Sequence, residues 1–501
     1  MSPLNLLVAC CLISGVPSEE RTPTALRFEV KLAPGLVTTP QDGRLLIVLG
    51  QSATPEPRRS IGRTGVNAPP LMGKDARGLT PDGVVVFDRS AVIFPIRSLD
   101  DLPKGKYFAQ AVLMTNRDLK MSAAPGNLYS EPVEFELDPK AGGTHQLTLS
   151  KAVPAEKLPE DSERNKYLKF KSELLSRFHG RPMYLRVGIR LPAKFASEPD
   201  RQYPLRISIG GYGSRFTGIA RADASADQMI VMQVDGAGPY GDPNQVNSAN
   251  NGPFGDALTQ ELIPHIEKQY RGLAKPDARF LTGTSTGGWV SLALQVFYPD
   301  FFGGCWSCCP DPVDFHCFQL VNIYDDANAF VNRSGFDRPG MRNTLGDMVE
   351  SMHHQIQIEN VLGDGDSWTR SGQQWGSWNA SFSPRGSDGQ PIALWDPKTG
   401  VINKSVLEHW KKYDLHRVLA GDWKTRGPKL QGKIRIWAGE ADQYFLNNAV
   451  HLLDGFLSKA QPPFQGHIAY GMGKGHGWKE LNERQINEQM LDIARRKAGA
   501  K

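Results

Sequence analysis

Residues 278–297 read ARFLTGTSTGGWVSLALQVF. ARFL is strand-like, GWVSLALQVF is helix-like, and a Gly-x-Ser-x-Gly pentapeptide, Gly283 to Gly287, joins them. The pentapeptide alone says little, because a chain with 51 glycines meets it by accident. Its position says more. On a sharp strand-to-helix turn the glycines let the backbone close, and the serine oxygen stands at the C-terminal edge of a sheet. Ser285 falls at that join and is the candidate nucleophile.

A serine hydroxyl attacks poorly near neutral pH, so it needs a histidine to take its proton and an acid to orient that histidine. In folds built around this turn the chain order is serine, acid, histidine. His476, in the Gly-rich loop GKGHGW after the last predicted strand, fits that order, whereas His467 lies inside the strand GHIAYGM. The acid is expected after the preceding strand, KIRIWAGEADQYF. Asp442 is the candidate and Glu440 its rival; Asp311 and Asp314 in CPDPVDF are a second source. Charge developing on a carbonyl oxygen calls for two backbone N–H donors. Thr286, after the nucleophile, supplies one. The glycine run in ISIGGYGS supplies the other, through Tyr212.

Outward from this stretch, strands alternate with helices from about residue 170. MYLRVGIRLP, YPLRISIGG and MIVMQVDG read as strands, and DALTQELIPHIEKQY as a helix. That alternation predicts a mostly parallel α/β sheet flanked by helices. The rhythm breaks between about 320 and 430 and then resumes, so this stretch is predicted to be a lid-like insertion. It holds DMVESMHHQIQIENVL, which reads as one helix, and six of the ten tryptophans. Those aromatics fit either a core of the insertion's own or a ligand pocket. QQWGSW reads as a loop, which makes Trp375 and Trp378 the candidates for substrate contact. Trp478, two residues after His476, is expected to flank the site.

Residues 25–150 are different. Short alternating segments such as LRFEVKLA, GRLLIVLG and EPVEFEL, punctuated by Gly, Pro and Asp, predict an N-terminal all-β sandwich. Residues 151–169 are charged and read as a linker, followed by a hydrolase domain over 170–498. Residues 1–20 carry an apolar run suited to a signal segment, with LVAC at Leu7–Cys10 like a lipoprotein cleavage site. No lysine or arginine precedes that run, so the basic start of a signal is missing. The expectation is an exported or lipid-anchored protein without a membrane span.

The net charge is +5 from 58 basic and 53 acidic residues, which leaves no footprint for nucleic acid. Four of six cysteines, Cys305, Cys308, Cys309 and Cys317, cluster near His316. Their spacing does not match a two-knuckle zinc site. Buried thiols or a local disulfide remain as alternatives.

YPLRISIGGYG, ELIPHIEKQYR, FLTGTSTGGW, GEADQYF and GHGW together resemble the bacterial Putative esterase family of α/β-hydrolases. That family includes feruloyl and acetyl esterases, S-formylglutathione hydrolases and mycolyltransferase antigens. The resemblance covers about 170–310 and 430–485, and it includes the Glu-x-x-Pro marker at Glu261–Pro264. It implies a triad of Ser285, Asp442 and His476, oxyanion donors at Tyr212 and Thr286, and no metal or organic cofactor. Gly210 stands where many relatives have histidine. The function expected is hydrolysis of a small-molecule or glycan-linked carboxylic ester. A peptidase or acyltransferase on the same triad, or a glycan-binding protein with an idle hydrolase domain, are the alternatives.

Overall fold

The computed structural model describes residues 26–221 and 224–499. The expected signal or lipoprotein segment, with Cys10 and Cys11, lies outside the described residues.

The first sheet has nine strands: β1 (Arg27–Leu32), β2 (Gln41–Gly50), β3 (Leu71–Leu79), β4 (Val84–Phe87), β5 (Val92–Phe94), β6 (Gly105–Met114), β7 (Leu128–Ser130), β8 (Val133–Leu137) and β9 (Thr144–Ala152). They pair in the order β4-β1-β9-β7-β6-β2-β3-β5, with β8 also on β6. This is one continuous sheet, not the two separate sheets that a sandwich implies. It curls over itself: Lys74 of β3 donates to the Val86 carbonyl of β4, although the two strands lie near opposite ends of the path. Its inner face buries one core that includes Phe28, Leu45, Ile47, Leu49, Leu113 and Leu147.

β2 explains why its sequence reads as a nearly unbroken apolar run. Successive side chains of a strand point to opposite faces. Leu45, Ile47 and Leu49 enter the inner core, and Leu46 and Val48 enter a second one. That second core is completed by Ile358, Val361 and Leu362 of the helix Met352–Leu362, which belongs to the insertion. Both faces of β2 are therefore covered, and apolar residues are needed at every position.

The second sheet has eight strands in the order Asn165–Ser172, Met183–Arg190, Ile230–Val234, Leu205–Ile209, Arg279–Thr284, Gly304–Cys308, Ile434–Gly439 and His467–Gly471. The first two pairings are antiparallel. All later ones are parallel. This is the mostly parallel α/β sheet that the alternation of strands and helices predicts. Strand Leu205–Ile209 leads in the chain to a neighbour on one side, and its other neighbour, Arg279–Thr284, arrives later. The strand order reverses there, and ligand crevices of open α/β sheets form at such a point. The helix Thr286–Phe297 follows the second of these strands and is buried from Thr286 to Val296.

Three local expectations are corrected. The segment 347–362 is not one helix: Met348–Ser351 is a strand, and the Ser351 hydroxyl caps the helix Met352–Leu362 by accepting from the His354 N–H. QQWGSW is not a loop, because Gln374–Phe382 is helical. Of the stretch read as a linker, only 153–164 lacks regular structure; Asn165–Ser172 already forms the edge of the second sheet.

The insertion does not form a core apart. Trp368, Trp375, Trp378, Trp395, Trp410 and Trp423 are buried in the same cluster as the sheet residues Ile207, Leu281 and Ile436. Cys305, Cys308, Cys309 and Cys317 are free thiols, so the local disulfide is not formed.

Candidate active site

Two C-terminal strand ends meet at the switch point. Leu205–Ile209 runs into Gly210 and Gly211, and Arg279–Thr284 runs into Ser285. The Ser285 backbone has φ 60° and ψ −126°, a conformation that a residue with a Cβ adopts only under strain. The motif glycines are forced by close approach. A Cβ on Gly287 would lie 2.1 Å from the Ile209 carbonyl, and one on Gly283 would lie 2.0 Å from the Gly287 carbonyl. Side chains at either position would push the helix off the sheet and open the turn.

The loop after Ile434–Gly439 carries Asp442, which is fully buried. Its Oδ1 accepts from the Tyr444 N–H at 2.9 Å, and its Oδ2 accepts from His476 Nδ1 at 2.8 Å. The His476 N–H donates to Gln443 Oε1 at 2.6 Å, which ties the two loops together. Burial works against a charge on His476, but the Asp442 hydrogen bond and its negative charge outweigh that, and the imidazole is more basic than usual. Glu440 turns away and pairs with His451 at 3.0 Å. Asp314 accepts from His316 and His416 on the far side of its loop.

Ser285 and His476 both line a cavity of about 540 Å³. The hydrogen bond of Ser285 Oγ goes to Asp311 Oδ1 at 3.5 Å. Asp311 is buried, and its other oxygen accepts from the Thr286 hydroxyl and from Trp378 Nε1, each at 2.8 Å. Burial pushes this carboxyl up to about 6.

Gly211 approaches Ser285 closely enough that a Cβ on it would lie 3.6 Å from the Ser285 Cβ. That brings the Tyr212 backbone beside the nucleophile turn. Thr286 is the first residue of its helix, and the first N–H groups of a helix have no partner within it. The Tyr212 hydroxyl donates to the Gly372 carbonyl at 2.6 Å and so fastens the glycine loop to the insertion.

Trp375 and Trp378 line the cavity, edge to face at 4.8 Å between ring centroids. Trp478 does not line it. Its indole packs over Gly471, where a Cβ would lie 2.5 Å from the ring, and it faces a core under the C-terminal helix. The rest of the wall comes from distant parts of the chain. Gly62 and Thr64 come from the first sheet's loops, Met341 and Glu350 from a short hairpin, and Ile358, Glu359 and Leu362 from the helix above it. Reading the sequence alone missed Glu350, Glu359, Gln374 and Tyr444. Only Gln374 carried a signal, as a polar neighbour of the two tryptophans.

Among the described residues, two groups bring three potential metal ligands together: Cys309, Asp442 and His476, and Asp314, His316 and Asp414. The Asp–His contacts within them are satisfied as hydrogen bonds. Cys305 and Cys317 belong to neither group.

Residues 182–330 match the family model described as Putative esterase, the family that the sequence resembles. No curated protein matches the chain. Solved structures give low similarities. A ferulic acid esterase is 14% identical, over 66% of this chain and 98% of that one, with a TM-score of 0.39. A fluorophosphonate-binding serine hydrolase of Staphylococcus aureus is 14% identical, over 66% and 97%, with a TM-score of 0.39. An S-formylglutathione hydrolase from Agrobacterium tumefaciens is 11% identical, over 67% and 94%, with a TM-score of 0.37.

Proposed function

We propose that this protein hydrolyses carboxylic esters through an acyl-enzyme on Ser285. The observation that carries the reading is the strained Ser285 turn sharing one cavity with His476, whose Nδ1 is held by the buried Asp442. His476 Nε2 takes the Ser285 proton as Oγ attacks the ester carbonyl. The carbonyl oxygen becomes negative and is met by the N–H groups of Tyr212 and Thr286. As the tetrahedral species collapses, His476 returns the proton to the departing alcohol oxygen and Oγ keeps the acyl group. Water then repeats the sequence, with His476 as base, and releases the acid. In the free protein the Ser285 hydroxyl rests against Asp311, and contacts of this kind tighten to their working geometry when substrate binds.

Asp442 holds the imidazole in one orientation and stabilises the imidazolium that forms. Support for a sugar-linked ester rests on Trp375 and Trp378, whose indoles line the cavity.

Hydrolysis of 4-nitrophenyl butyrate by wild type and Ser285→Ala tests the reading. Turnover should fall by several powers of ten in the variant, because loss of a nucleophile leaves only oxyanion and binding effects. Equal activity in the two proteins would move the chemistry elsewhere.

A further inference from the structure

Three carboxylates line the cavity: Asp311, Glu350 and Glu359. Each is at most 4% exposed. No lysine or arginine among the described residues shares that wall, and the only titratable nitrogen there is His476, which is committed to Asp442. Neutral donors alone meet the three acids. Glu359 accepts from the backbone N–H groups of Trp375 and Gly376 and from the Ser371 hydroxyl. Asp311 accepts from Thr286, Trp378, Gln374 and Ser285. Glu350 accepts from the Gly65 N–H at 2.9 Å and from Gln355 Nε2 at 3.3 Å.

Buried charges are ordinarily paired, because an isolated one loses its hydration without compensation. Three such groups around one cavity make an acidic, poorly solvated space in which a cation placed beside a carboxylate favours its ionised form. Two of the acids respond as burial predicts: Glu359 is pushed up to about 7 and Asp311 to about 6. Among the cavity's amides, the Oε1 of Gln319 is buried and has no hydrogen-bond partner. It belongs to a residue held at φ 56°. Trp375 and Trp378 belong to the same wall, and indole rings attract cations.

From these observations we propose that the cavity recognises an ester that carries a cationic amine, and that it discriminates against esters that carry a carboxylate. The proposal rests on the esterase reading and narrows its substrate class. Glu350 is the main recognition group. A carboxylate offers about four acceptor positions. Glu350 uses two of them, fewer than Asp311 or Glu359. It faces Tyr444, where burial, followed by the charge of Glu350, makes the phenol a weaker acid. Trp375 and Trp378 supply the aromatic wall beside it, and Gln319 accepts from the ammonium N–H or a neighbouring hydroxyl.

The test compares three 4-nitrophenyl esters of matched length: the neutral heptanoate, the hemipimelate with a terminal carboxylate, and the 6-aminohexanoate with a terminal ammonium, chains too long for either end group to close a five- or six-membered ring on its own ester. Leaving group and nucleophile are common to all three, so ratios of kcat/KM isolate the charge. The ammonium ester should exceed the neutral one by about tenfold or more, and the carboxylate ester should fall below it by a similar factor. Both ratios should move toward one as salt is raised. In Glu350→Gln the ammonium-to-neutral ratio should move toward one, with folding checked by thermal melting. If the carboxylate ester matches or beats the neutral one, the proposal is overturned.

Failure of the esterase reading looks different, because none of the three esters would then turn over. Calorimetric titration with phenyltrimethylammonium decides the cation site in that case. Binding by wild type that weakens in Glu350→Gln supports it, and no binding by wild type overturns it.

Discussion

His476 stands between opposed influences. Burial favours its neutral form, while the hydrogen bond and charge of Asp442 favour the imidazolium more strongly, so its basicity rises above the ordinary histidine value of 6.5. The proposed attack by Ser285 needs this ring neutral. The acid limb of kcat/KM for a neutral ester should therefore have its midpoint above 6.5, with activity lost as pH falls through it. Asp442→Asn removes the two largest raising influences and leaves burial, so the limb should move to lower pH while the maximal rate drops sharply. A pH profile of both proteins checks this. An unshifted limb in the variant would mean that another acid orients His476. That Ser285 and His476 share one cavity, with Asp442 against His476, was legible in the sequence, because chain order and the strand-turn-helix context restrict these candidates. Glu440 was the closest rival, and only the structure shows its carboxylate turned toward His451. Trp478 misled because two residues of separation on a turning loop are enough to face a side chain into the opposite core.

At the scale of elements, the helix Met352–Leu362 joins the two halves of the molecule. Arg44 of β2 is fully buried; it donates to the carbonyls of Val361 and Asn360 and pairs with Asp75 and Asp366. Beside it Gly73 of β3 lets the helix come close, since a Cβ there would lie 2.1 Å from the Val361 carbonyl. Gly73→Ala should push the helix outward, carrying Ile358, Glu359 and Leu362 away from the cavity wall. The expected cost is about 1–3 kcal/mol of stability, as for other overpacked sites, with a raised KM. Denaturant unfolding and ester kinetics measure both, and a variant equal to wild type in each would show that the contact is slack. None of this was legible in the chain. The helical character of QQWGSW was hidden for a related reason. Its start is capped by Glu359, which accepts from the Trp375 and Gly376 N–H groups across a sequence gap that no local pattern reveals. Strands and helices of the second sheet were readable because their periodicity is local. Elements stabilised by distant partners were not.

Across the whole molecule, the cavity is a joint product of three regions. The α/β sheet contributes Ser285 and His476, the insertion contributes the tryptophans and two of the acids, and the curled N-terminal sheet contributes Gly62 and Thr64. Composition separated the first sheet from the second but gave no sign that they share a wall. The apolar residues of β2 that face the insertion had the same appearance as ordinary core. Among the described residues no helix is long and apolar enough to cross a membrane. The central claim remains the nucleophile at the switch point, and covalent labelling tests it most directly. Wild type, Ser285→Ala and His476→Ala are treated with a fluorophosphonate, and the adduct is located by intact mass and peptide mapping. A single adduct on Ser285 in wild type, none in Ser285→Ala, and much slower labelling in His476→Ala is the predicted result. An adduct on another residue, or equal labelling of Ser285→Ala, would contradict the account.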